Sequence, residues 1–235
     1  MNHYLLIPLF LLYGLLSIQL ISWFKRKKSL RSVYTRKIFH ILIFSTAGII
    51  ILYLGMVPLF IFGIIISSLV IIAVVRSRNS NFYKALVRNS DEPAAKFFII
   101  LPLISTAVGG TAAVLLFGKI SLIGFFVSGW ADGLAEPIGK KWGVHQYRTL
   151  SWGKTKTIKS LEGTAAVLIF GFFAALAALG LMQIPCLTAL ITALICSGAA
   201  ACAEAFNLHG TDNFTVQIVV SGTAYLCLEK LLINI

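Results

Sequence analysis

The sequence predicts an all-α polytopic membrane protein, a single transmembrane domain over residues 1–235 with about eight spanning helices. Three observations predict it. Of the 235 residues 58% are hydrophobic and only 12% charged, with a mean hydropathy of +0.91, where a soluble domain carries about twice that share of charge. Apolar runs long enough to cross a bilayer recur along the whole chain. The 20 Lys and Arg, against 8 Asp and Glu, gather in the segments between those runs. This composition excludes a water-soluble globule, a disordered chain and a nucleic-acid-binding domain of usual make-up. At about 20 residues per span, nothing is left for a separate soluble domain, so any chemistry must sit on helix ends and short loops.

Taken in order, the predicted spans are 4–24, 38–54, 57–75, 97–117, 120–138, 163–181, 185–206 and 214–233. Turn chemistry separates three pairs: Gly55 and Pro58, Gly118, and Pro185 each mark a short break, giving three tight hairpins with a single span at each end. The longer joining segments are basic. Lys25, Arg26, Lys27, Lys28, Arg31, Arg36 and Lys37 follow the first span; Arg76, Arg78, Lys84, Arg88 and Lys96 the third; Lys140, Lys141, Arg148, Lys154, Lys156 and Lys159 the fifth. Eighteen of the 20 cations therefore fall on one side of an eight-span chain, and the positive-inside rule makes that side cytoplasmic and both termini exterior. The first span has no positive region before it and a basic cluster after it, which fits a retained anchor. The four cysteines, Cys186, Cys196, Cys202 and Cys227, lie in apolar stretches and read as small buried hydrophobes.

Carboxylates inside membrane spans are expensive and mark function by default. Three occur here: Asp132 and Glu136 in the fifth span and Glu204 near the end of the seventh. Counted from residue 120, Asp132 lies roughly 18 Å and Glu136 roughly 24 Å into a core about 30 Å thick, both in the cytoplasmic half. At i and i+4 they share a helical face, and two like charges so placed call for a cation or a proton between them. A divalent metal meets that need, since Mg²⁺ takes one or two carboxylates together with substrate phosphates. The surrounding GWADGLAEPIGKKWG, 129–143, is glycine-rich, which lets backbones or a ligand approach.

The next loop carries the complementary charge. In KTKTIKSLEGT, 154–164, Lys154, Lys156 and Lys159 precede the sixth span, whose N-terminus is a favourable place for phosphate, although no Walker A motif is present. RKIFH, 36–40, opens the second span with Arg36 and His40 at i, i+4 and Lys37 and His40 at i, i+3 on one face, either as a basic snorkelling flank or as a phosphate grip. EAFNLHGTDN, 204–213, joins the last two spans, where Asp212 or Thr211 can cap the eighth and Glu204 needs a partner. Lysines and a helix N-terminus beside buried acids describe a site for polyphosphate and metal facing the cytoplasm. The acids cluster in one half of the membrane, and ISLIGFFVSG, 120–129, continues no ionisable path, which weighs against a transporter.

RKIFH, GWADGLAEPIGKKWG, KTIKSLEGT at 156–164 and DNFTV at 212–216 together resemble, in order and spacing, the dolichol kinase and phytol kinase family of membrane lipid kinases. The resemblance runs from about residue 30 to 220. Many members have Gly-Asp where this chain has Gly129-Trp130, keeping the second acidic position at Asp132. The resemblance implies phosphoryl transfer from a nucleoside triphosphate, typically CTP, to a long-chain isoprenoid alcohol such as phytol, a polyprenol or dolichol. The nearest alternatives are a diacylglycerol kinase and a cytidylyltransferase making CDP-lipid. Carried onto this chain, it implies Mg²⁺ at Asp132, Glu136 and Asp212, nucleotide on Arg36, Lys37, His40, Gly133, Lys154, Lys156, Lys159, Ser160 and Asn213, and Asp132 or Glu204 taking the proton of the alcohol. The partners expected are thus a nucleotide and a membrane lipid alcohol.

Overall fold

The computed structural model describes residues 3–28, 30–76, 80–87, 94–149, 157–207 and 210–233. Eight helices of 21 or 22 residues dominate them: α1 (Leu6–Lys27), α2 (Ser32–Tyr53), α3 (Met56–Arg76), α5 (Phe97–Phe117), α6 (Ser121–Trp142), α7 (Leu161–Leu181), α8 (Cys186–Phe206) and α9 (Asp212–Ile233). At 1.5 Å per residue each is about 31–33 Å long, the thickness of a bilayer core. Among the described residues six helical segments are long and apolar enough to cross a membrane, one of them the continuous stretch Phe97–Trp142 that contains both α5 and α6. The chain is an all-α polytopic membrane protein.

The hairpins fall where turn residues placed them. α2 ends at a left-handed Gly55 (φ 86°) and α5 at Gly118 (φ 56°), conformations that a side chain disfavours. α7 and α8 are joined through Gln183, which adopts a left-handed φ of 58°, and Pro185.

Two elements depart from the sequence expectation. A six-residue helix, α4 (Asn81–Leu86), capped by Ser80 Oγ accepting from Tyr83 N, packs Phe82 and Tyr83 under α1 and α2. Between α6 and α7 the basic loop forms an antiparallel ribbon, β1 (Gln146–Thr149) with β2 (Thr157–Ser160), registered Tyr147 to Lys159 and Arg148 to Ile158. α2 also begins six residues before the predicted span, because the first turns are held by polar contacts that an apolar window does not register. Thr35 Oγ1 donates to Ala85 O at 2.7 Å and Ser32 Oγ to Lys84 O at 2.9 Å.

α6 lies at the centre, packed on α2, α7 and α9, and is buried from Ser121 through Gly129 without a break. Small residues make this possible. A Cβ on Gly129 would stand 2.7 Å from Phe44 Cβ and one on Gly133 2.6 Å from Ile41 Cγ1, so this GxxxG pair seats α2 directly on α6. Gly109 does the same for α5 and α9, where an added Cβ would meet Phe214 Cα at 2.6 Å. α1 is peripheral and turns Leu9, Leu12 and Leu16 outward, as a lipid-facing helix must.

Candidate functional site

The close approach of α2 to α6 brings RKIFH against the acidic turn. Lys37 is buried, and its ammonium donates to both carboxylate oxygens of Asp132 at 2.7 Å and lies 3.2 Å from Glu136 Oε2. The cation that the acidic pair requires is therefore supplied by the protein itself. Lys140, one turn beyond, pairs with the other oxygen of Glu136 at 2.8 Å. His40 packs on Phe44 with ring centroids 4.0 Å apart and planes tilted by 35°, and points Nε2 at Ser128 O, 3.1 Å, and Asp132 Oδ2, 3.4 Å. A proton on Nε2 satisfies either acceptor. With Lys37 inside, the cluster holds two carboxylates, two ammonium groups and an imidazole at the loop-bearing end of the bundle. The side chains of Asp132 and Glu136 are only 13% and 16% exposed, so their field is weakly screened.

The ribbon supplies a second pair. Lys159, facing inward from β2, places its ammonium 2.6 Å from Glu204 Oε1 and also donates to Glu204 O. This answers the question that a carboxylate near the end of α8 poses. The N-terminus of α7 is differently furnished from the open phosphate site that its preceding lysines imply. Ser160 is buried and caps the helix, accepting from Gly163 N at 3.1 Å. Glu162 occupies the first turn and accepts from His145 Nδ1 at 2.8 Å and from His145 N at 3.2 Å. An acid at this end complements the helix dipole. Lys154 and Lys156 lie outside the described residues.

The third contribution comes from the start of α9. Asn213 is buried, and its amide donates to Thr106 Oγ1 at 2.7 Å, tying α9 to α5 beside Pro102. Asp212 accepts from the backbone N–H of Asn213 and acts electrostatically on Lys37, His40 and Glu204. Asp132 likewise acts on Glu204. The structure thus joins Lys37, His40, Asp132 and Glu136 in direct contact, and Lys159 with Glu204, and sets Asp212 within electrostatic reach of both groups. Gly133, Ser160 and Asn213 have their small size, hydroxyl and amide employed in packing α6 on α2, capping α7 and tying α9 to α5.

Among the described residues no three His, Cys, Asp or Glu side chains form a metal cluster. Two observations nevertheless fit the expected metal and triphosphate. Asp132 and Glu136 converge on one buried point that the Lys37 ammonium occupies, so a metal there would share or displace that lysine; a pair of carboxylates is the protein donor set that Mg²⁺ takes when phosphates complete its shell. On α2, one residue before Lys37, Arg36 Nη1 is buried with no hydrogen-bond partner, a donor suited to an anion.

Some polar residues escaped sequence reasoning. Trp130 stacks on Phe126 with planes 9° apart and donates Nε1 to Ser45 Oγ at 2.8 Å, locking α6 to α2. Gln217 and Ser221, one turn apart on α9, and Ser128 on α6 are fully buried, and their side chains have no hydrogen-bond partner. Only the spacing of Asn213, Gln217 and Ser221 at i, i+4 and i+8 signals a common face.

This fold and site define a class: a helical membrane protein with a charged, partly buried site at one end of its bundle. A curated phytol kinase from Synechocystis sp. is 32% identical to the chain over 96 residues, 41% of this chain and 39% of that one. The match spans about two fifths of the length of that relative. It supports a distant relationship to the phytol and dolichol kinases. No family model matches the chain, and no solved structure matches it.

Proposed function

We propose that the protein is a membrane-embedded lipid kinase that transfers a phosphoryl group from a nucleoside triphosphate, CTP on the family resemblance, to a long-chain isoprenoid alcohol of phytol, polyprenol or dolichol type. The observation that carries this reading is the arrangement of Lys37, Asp132 and Glu136 between α2 and α6. Phosphoryl transfer asks chiefly for positioning and for charge stabilisation, and a lipid acceptor asks for both at membrane depth. The similarity to a phytol kinase supports the same reaction class.

Mg²⁺ would be held by Asp132 and Glu136, with Asp212 as a further carboxylate nearby, and would neutralise charge on the triphosphate. Arg36 offers its unused N–H to a phosphate oxygen, and Lys37, His40, Lys154, Lys156 and Lys159 supply the remaining positive charge. Asp132 or Glu204 takes the hydroxyl proton as the new oxygen–phosphorus bond forms, while the bond to the nucleoside diphosphate breaks and that group leaves. Gly133, Ser160 and Asn213 position these groups by fixing α2 on α6, the start of α7, and α9 on α5. On the positive-inside rule the site faces the cytoplasm, with both termini outside.

The test is product identity. Purified protein incubated with γ-labelled CTP or ATP and a panel of phytol, farnesol, a polyprenol and diacylglycerol should place label in a lipid monophosphate and release nucleoside diphosphate. Label recovered as pyrophosphate, with CDP-lipid formed from a lipid phosphate, would replace the kinase by a cytidylyltransferase.

A further inference from the structure

A groove of about 500 Å³ runs between the ribbon, the first turn of α7 and the last turn of α8. Tyr147 and Thr149 form one wall, Leu161 and Thr164 the second, Ala205 and Phe206 the third. The surface it presents is overwhelmingly apolar. Its polar spot is the hydrogen bond of 2.7 Å between Tyr147 and Thr164, with Arg148 at the rim. It is an open surface groove whose lining is suited to an apolar segment of a ligand.

Register fixes where the groove leads. Tyr147 is paired with Lys159, so both side chains leave the ribbon on the same face, and Lys159 reaches Glu204, the residue before Ala205. The groove therefore lies on the same face of the ribbon as Lys159, and the Lys159–Glu204 pair neighbours its lining residues Tyr147 and Ala205 without itself lining it. The outer end opens beside Leu161, 59% exposed, and Phe206, 77% exposed. Leu161 begins and Phe206 ends a helix apolar enough to span a membrane, and in a bilayer crossed by those helices this opening would lie at the edge of the hydrocarbon layer.

We propose that this groove receives the hydrocarbon chain of the acceptor lipid, entering sideways from the bilayer between the ribbon and the ends of α7 and α8, with its hydroxyl directed at the Lys159–Glu204 pair. The inference rests on the lipid-kinase reading and names the route by which the acceptor reaches that site. An apolar surface with one end at the membrane and a carboxylate neighbouring its lining suits a molecule with a long apolar tail and one polar head. The competing occupant is the base of the nucleotide, for which Tyr147 and Phe206 would be stacking surfaces.

Two experiments test the assignment. Purified wild-type protein in lipid nanodiscs is photolysed with a diazirine-bearing geranylgeraniol in the absence of nucleotide, and the labelled peptides are mapped. Label on 147–149, 161–164 or 205–206 that unlabelled geranylgeraniol displaces supports the groove. Label confined to other helices overturns it, whether or not the protein proves to be a kinase. In the second, Ala205→Trp fills the groove. The KM for the alcohol should rise about tenfold or more while the KM for nucleotide stays within about twofold. A rise confined to the nucleotide would assign the groove to the base, and unchanged values for both would remove it from the reaction. A variant that fails to fold is replaced by Phe206→Ala at the exposed mouth, for which the same split is expected at smaller amplitude. Absence of lipid phosphorylation by the wild type would refute the kinase reading while leaving the photolabelling result to stand or fall on its own.

Discussion

Replacing Lys37 by Met removes the charge and keeps most of the side-chain volume. The ammonium is held between Asp132 at 2.7 Å and Glu136 at 3.2 Å, with a side chain 5% exposed. Removing one partner of a buried ion pair costs about 3–5 kcal/mol, because the remaining charge stays desolvated and unpaired. The repulsion that Lys37 offsets is of similar size: two carboxylates roughly 6 Å apart at an effective dielectric of about 20 repel by about 3 kcal/mol. Lys140 still pairs with Glu136 at 2.8 Å, so the cost belongs mainly to Asp132. At about 2–4 °C per kcal/mol for a chain of this length, the thermal midpoint should fall by about 6–20 °C. Differential scanning fluorimetry in one detergent, read through the tryptophans, measures it. The second variant is decisive: Lys37→Met combined with Asp132→Asn removes both charges and should recover at least half of the loss. A single variant melting within about 2 °C of wild type, or a double variant no more stable than the single one, would refute a shared buried counterion.

Other changes follow from particular contacts. Gly133→Val should cost about 1–3 kcal/mol or more by overpacking, since even a Cβ there would sit 2.6 Å from Ile41 Cγ1, and it should reduce turnover by moving α2 off the acidic turn; a fully active, equally stable variant contradicts that packing. Gln217→Met should act in the opposite direction, raising stability by about 1–2 kcal/mol, because the amide is fully buried without a partner; a lowered midpoint would show that the amide is engaged. Ser160→Ala should cost about 1 kcal/mol through loss of the α7 cap, read from the same melting curves, whereas Ser160→Asn should restore it.

How legible all this was in the sequence depended on distance along the chain. The hairpins are local, and Gly55, Gly118 and Pro185 mark them. The start of α2 is not, because an apolar window stops at Lys37 while the helix is held from Ser32 by contacts to α4 some 50 residues away. The ribbon was hidden for a related reason: QYRT and TIKS are four-residue segments without an apolar face, and their pairing closes across a basic loop. At the site the acids announced themselves, since carboxylates in apolar spans need a reason to be there. Their partners did not. Lys37 is 95 residues from Asp132 and Lys159 is 45 from Glu204, and each sits in a cluster of basic residues where a snorkelling lysine and a buried one look alike. The same remoteness concealed that Asn213 serves α5 and that Trp130 reaches Ser45.

Transfer of label from γ-labelled nucleotide to an isoprenoid alcohol by wild type and by Asp132→Asn, in matched nanodiscs, tests the central claim most directly. The account predicts lipid monophosphate and nucleoside diphosphate from the wild type, and a rate lower by about a hundredfold or more in a variant that still inserts and folds. Undiminished transfer by Asp132→Asn, or label appearing as pyrophosphate instead of lipid phosphate, would contradict it.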